Sequence, residues 1–204
     1  MISIDMETLF TTLYVLVDDW YKTKGHLLLT GKVGAKPRFS DSEMITLLLA
    51  HDFIPYPSET QYVAYVRANH RALFPNLVDQ SQFNRRGRNL QHIVEALRQS
   101  WVATLGGYTC DCLLLDTKPI PVLGYKRSKS HSDFVGQAGY GQCTARHFYY
   151  FGFKLVLLST CDGVPIVYDL VPANMDERCA AESVLYRVTD CDILGDKVYG
   201  LLSS

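Results

Sequence analysis

The chain has 204 residues and a mass of 23.1 kDa, with 48% hydrophobic and 20% charged residues and a net charge of -1. This is ordinary globular composition; it excludes a disordered chain, a collagen-like repeat and a simple coiled coil, and the length suffices for a core without metal or disulfide staples. The near-zero net charge hides segregation: residues 67–154 carry 12 Lys+Arg against 5 Asp+Glu, whereas residues 155–204 carry 3 against 8. A basic middle of this kind suits a polyanion, though a solvated face has the same composition.

Residues 1–10 carry Asp5 and Glu7 and no Lys or Arg, the opposite of a secretory leader, and no apolar run approaches the roughly 20 residues of a membrane span. A cytoplasmic location is expected. The first half reads as helical. Ser40-Asp41-Ser42-Glu43 is a capping box that starts a helix over the apolar run 44–50, fenced by Pro37, Pro55 and Pro57. A second helix is expected over residues 58–70, closed by Phe74-Pro75, and a third over 81–105, with Phe83, Leu90, Ile93, Val94, Leu97 and Trp101 along one stripe. The third carries Arg85, Arg86 and Arg88 in what would be its first two turns, where the macrodipole disfavours cations. They read either as a phosphate-binding surface or as partners of acidic residues on another helix.

The texture changes at Gly106-Gly107. Residues 110–122 read as a strand ending in Asp116, with Pro119 and Pro121 forcing an extended exit. A long Gly/Ser-rich stretch, 124–147, follows and bears Lys126, Arg127, Lys129 and Arg146 among aromatic residues. Residues 148–159 and 164–171 form a hairpin through Thr160-Cys161-Asp162-Gly163. Asn174 and Glu177 read as a second capping box opening a helix to about residue 188, and 192–196 as a short strand. The order implies an α/β chain: helical residues 1–106, then a mixed sheet with a helical crossover in 107–204. Six cysteines lie in the second half without a CxxC pair and read as buried reduced thiols.

If the strands ending at Asp116 and Asp196 lie parallel and adjacent, both carboxylates face one cleft. Like charges that close require a cation between them, and oxygen ligands suit Mg²⁺ or Mn²⁺; two such ions about 3.5 to 4 Å apart serve phosphodiester transfer. From pattern alone, each aspartate reads equally as a residue closing a strand or opening a turn. Several motifs in order, Arg38-Phe39-Ser40-Asp41-Ser42-Glu43, Ser81-Gln82-Phe83-Asn84-Arg85-Arg86, Leu115-Asp116-Thr117-Lys118-Pro119, Tyr150-Phe151-Gly152-Phe153-Lys154-Leu155, Val171-Pro172-Ala173-Asn174-Met175-Asp176 and Leu194-Gly195-Asp196-Lys197, resemble the DDE transposases of bacterial insertion sequences.

That resemblance implies a helical amino-terminal region and an RNase H-like catalytic domain. It makes Asp116 and Asp196 the first two acids of a metal-binding triad holding Mg²⁺ or Mn²⁺. It implies double-stranded DNA, both element ends and target, as partner, with Arg85, Arg86, Arg88, Lys118, Lys126, Arg127, Lys129, Arg146 and Lys154 on phosphates. A homo-oligomer, or association with full-length transposase, is a further expectation. The family's third acid, a Glu on a later helix, would fall beyond Ser204, and Val198 stands where a glycine is usual. The resemblance therefore implies a truncated or decayed copy, or a fragment whose remainder is encoded elsewhere, with impaired strand cleavage. Two alternatives are a non-catalytic DNA-binding fragment that regulates transposition and a metal-dependent nuclease unrelated to it.

Overall fold

A computed structural model describes residues 5–29, 37–56, 58–124, 134, 136–143 and 147–195. The chain divides into two compact units, Met1–Ser100 and Trp101–Ser204. Among the described residues it is a mixed α/β protein with six α-helices and a five-stranded mixed sheet.

The first unit is helical. Helix α1 (Met6–Thr23) begins at Asp5, whose carboxylate accepts from the Thr8 amide at 3.1 Å. Helix α2 (Asp41–Ala50) starts at the expected capping box: Ser40 Oγ accepts from the Glu43 amide at 3.1 Å, and the Ser40 amide donates to Glu43 Oε2 at 2.6 Å. Helix α3 is Glu59–Asn69, matching the expected second helix. The core of this unit joins Phe10 and Val17 of α1 to Met44, Ile45 and Leu47 of α2 and Tyr62 and Val66 of α3, all at most 1% exposed. Tyr62 satisfies its buried hydroxyl by donating to the Leu47 carbonyl at 2.7 Å.

The expected single helix over 81–105 is two helices, α4 (Gln80–Asn89) and α5 (Gln91–Thr104), parted at Leu90 with φ -97° and ψ 1°. Gly87 and Asn89 are poor helix formers just before the break. The break reverses the electrostatic reading of the arginines. Arg86 and Arg88 lie in the last turn of α4, where the free carbonyls favour cations.

The second unit is a sheet covered on one face by a helix. Strand β1 (Cys112–Gly124) pairs antiparallel with β3 (Phe148–Thr160), and β3 pairs antiparallel with β2 (Gly139–Cys143) and with β4 (Pro165–Pro172). Strand β5 (Asp192–Gly195) lies parallel to β1 on the side away from β3. The crossover between β4 and β5 is helix α6 (Glu177–Leu185). Ala180, Ala181 and Val184 of α6 pack with Leu113, Leu115, Val156, Leu158 and Val171 into the core of this unit. Alternation along β1 and β3 therefore sends Leu113 and Leu115 inward and Leu114, Asp116 and Lys118 to the opposite face. On that opposite face Leu170 is 51% and Tyr149 59% exposed.

Three local expectations change. The strand does not end at Asp116 but runs on through Pro119 and Pro121 to Gly124, with a bulge between Pro121 and Leu123. Prolines are tolerated in a ladder at bulges and where their hydrogen-free nitrogens are not needed for pairing, and the register of β1 against β3 shifts between Pro121 and Leu123. The stretch 124–147 includes strand β2, whose Gly141 and Gly139 allow close approach to Tyr150 and Asn174. Helix α6 is capped by Asp176, which accepts from the Arg178 amide at 2.9 Å, rather than by Asn174. The hairpin turn is as expected: Gly163 takes φ +84°, and its amide donates to the Thr160 carbonyl at 2.9 Å.

Candidate functional site

Asp116 stands in β1 directly after the residue at which β1 and β5 last pair, Leu115 opposite Gly195. Its side chain is exposed on the sheet face away from α6. On β3 its partner is Leu157, a half-buried leucine. Oδ1 accepts from the Thr117 amide at 2.7 Å. One carboxylate oxygen is thus engaged by the adjacent peptide, and the group remains open to solvent.

Lys118 shares the Asp116 face, two residues along the strand, and is exposed. Lys154 lies on the other face, opposite Pro119. Its ammonium donates to the Met175 carbonyl at 3.0 Å and stands 3.9 Å from Glu177, with 14% of the side chain exposed. The sheet therefore separates Lys154 from Asp116. Asp196, Lys126, Arg127, Lys129 and Arg146 lie outside the described residues.

In the helical unit the three arginines have different surroundings. Arg86 donates to Asp41 Oδ1 at 2.8 Å and to the Phe39 carbonyl at 2.8 Å, with its guanidinium 5.7 Å from the centroid of the Phe39 ring. The Tyr21 hydroxyl donates to the other Asp41 oxygen at 2.8 Å. Burial, followed by the hydrogen bond to Asp41, raises the Tyr21 phenol well above its ordinary range. Of the two sequence readings for Arg86, pairing with an acid on another helix is the one realised. Asp41 is the centre of a three-helix polar junction that sequence reasoning missed, because its partners are 20 and 45 positions away. Arg85 and Arg88, by contrast, are exposed on α4.

Among the described residues no three His, Cys, Asp or Glu side chains are grouped to hold a metal ion. No described helix is long and apolar enough to cross a membrane. Compared with protein-family models, curated proteins and solved structures, the chain finds no match.

Proposed function

We propose that the chain is a DNA-transposing enzyme by ancestry, with an RNase H-like second unit in which Asp116 and Asp196 supply two carboxylates for Mg²⁺ or Mn²⁺. The observation that carries this reading is the parallel pairing of β1 with β5, whose last partners, Leu115 and Gly195, are each followed in the sequence by an aspartate. Further support comes from the path β4, β3, β1, β5 across the sheet, antiparallel except for the last pair and crossed by α6 before β5.

The chemistry of Asp116 fits a hard divalent cation: an exposed carboxylate whose described hydrogen bond comes from its neighbouring amide. Such an ion, when bound, activates an attacking oxygen and stabilises the leaving one. Lys118 on the same face would add positive charge beside a phosphate, and Arg85 and Arg88 would hold DNA through phosphate contacts.

The test is nicking of supercoiled plasmid with Mn²⁺ alongside retention of a labelled DNA duplex. Asp116→Ala is expected to abolish metal-dependent nicking and leave duplex binding intact. Nicking that survives Asp116→Ala would remove the catalytic assignment. A second reading, a non-catalytic DNA-binding regulator, is favoured by the exposed Arg85 and Arg88. It predicts binding without any Asp116-dependent nicking. Under either reading Arg85→Ala and Arg88→Ala should each lower the salt dependence of binding by about one unit of slope.

A further inference from the structure

We propose that Cys112 and Cys161 form an oxidisable thiol pair, which a low-molecular-weight disulfide converts into a cross-strand bridge tying β1 to the β3–β4 turn. The register places their neighbours together. Leu113 pairs with Thr160 at the end of the β1–β3 ladder; Cys112 precedes Leu113 on β1, and Cys161 follows Thr160 as the first residue of the turn. Beyond burial, Cys161 is also among the neighbours that raise the Cys112 thiol. The last paired step, Leu113 with Thr160, holds its β-carbons about 4.5 to 5.5 Å apart, and the bridge needs the turn residue beyond it to close to the 3.5 to 4.5 Å that a disulfide spans.

The turn holds Cys161 in place. The Thr160 amide donates to the Val164 carbonyl at 2.9 Å, and the Val164 amide donates back to Thr160 Oγ1 at 3.1 Å. Of the other thiols, Cys110 donates to the Cys112 carbonyl at 3.3 Å and, like Cys191, packs against the core; Cys143 ends β2 opposite Phe148, and Cys179 is exposed on α6. Cys161 is exposed and Cys112 half-buried, so the two have distinct roles. Burial, with the neighbouring Cys161 and Asp192, raises the Cys112 thiol and keeps it protonated and slow towards external reagents.

The chemistry is two successive exchanges. The Cys161 thiolate attacks one sulfur of the reagent RSSR; the S–S bond breaks, and RS⁻ leaves and takes up a proton. The Cys112 thiolate then attacks Cys161 Sγ in the mixed disulfide and displaces the second RS⁻. Two protein thiols lose two electrons in total, and RSSR is reduced to two RSH.

The experiment treats the full chain with oxidised glutathione, traps remaining thiols with N-ethylmaleimide, and maps peptides by mass. The Cys112–Cys161 bridge is expected before any other, with reversal by dithiothreitol. Cys112→Ser should stop at a glutathione adduct on Cys161, and Cys161→Ser should leave Cys112 free over the same period. The bridged chain should melt higher by about 5 °C or more, since the link closes a long loop in the unfolded state. A first bridge between any other pair, a persistent glutathione adduct on Cys161 while Cys112 is present, or a lowered melting temperature would overturn the proposal.

Discussion

Arg86→Ala separates a folding role from a ligand-binding role for the arginine cluster. The Arg86–Asp41 pair is short, at 2.8 Å, and its side chains are only 18% and 10% exposed. Exposed ion pairs contribute about 0 to 1 kcal/mol, whereas removing one partner of a fully buried pair costs about 3 to 5 kcal/mol, because the other charge is stranded. This pair lies nearer the second case. The Phe39 carbonyl also loses a donor, while Tyr21 continues to satisfy one Asp41 oxygen. The expected loss is about 2 to 4 kcal/mol, a large part of the roughly 5 to 15 kcal/mol that stabilises an ordinary domain. Urea unfolding followed by circular dichroism measures it, and a cycle with Asp41→Ala should show strong coupling between the two positions. Arg85→Ala, one residue away but exposed, should change stability by no more than about 0.5 kcal/mol. If Arg86→Ala leaves the urea midpoint unchanged and instead weakens DNA retention, the guanidinium serves a ligand and the junction argument fails.

Ser40→Ala removes the side-chain half of the α2 capping box and should cost about 1 kcal/mol in the same urea assay, with Ser40→Asp largely restoring it. Gly152→Ala should destabilise by about 1 to 3 kcal/mol, because the added methyl would meet the Ile120 carbonyl oxygen and the Val122 nitrogen, both backbone atoms that cannot turn aside. A neutral result would place the β1 bulge elsewhere. Alkali should destabilise the fold: burial and Asp41 raise the Tyr21 phenol, and burial then Tyr65 raise Tyr62, above the value of about 10 for an unfolded tyrosine. Stability from these phenols is complete below about pH 10 and falls as pH rises towards their folded values, because the unfolded chain releases the protons first. The urea midpoint should fall less steeply above that pH in Tyr21→Phe; an identical slope would argue against the coupling.

Features held by neighbours in the chain were legible in the sequence. The Ser40/Glu43 box spans three residues, and the hairpin at 160–163 depends on a glycine at φ +84°, so both follow from local hydrogen bonding and backbone sterics. The prolines of β1 misled for the same reason that they are informative: they end a helix or a regular ladder, yet a strand with a bulge admits them. Likewise the apolar stripe from Phe83 to Trp101 continues across Leu90, so periodicity gave no sign of the break that moves Arg86 and Arg88 to a favourable helix end. The sequence by itself determined the helical first half, the hairpin, and Asp116 as a carboxylate at the edge of a basic, proline-marked segment.

Tertiary structure alone decided which charges are spent and which are open. Asp41 draws in Arg86 from 45 positions away, the sheet turns Lys154 towards Glu177 and away from Asp116, and the β1–β3 register sets Leu113, next to Cys112, against Thr160, next to Cys161. Side chains three or four residues apart are bound by the geometry of one turn, whereas these partners meet only when separate elements pack, at distances that no local propensity encodes.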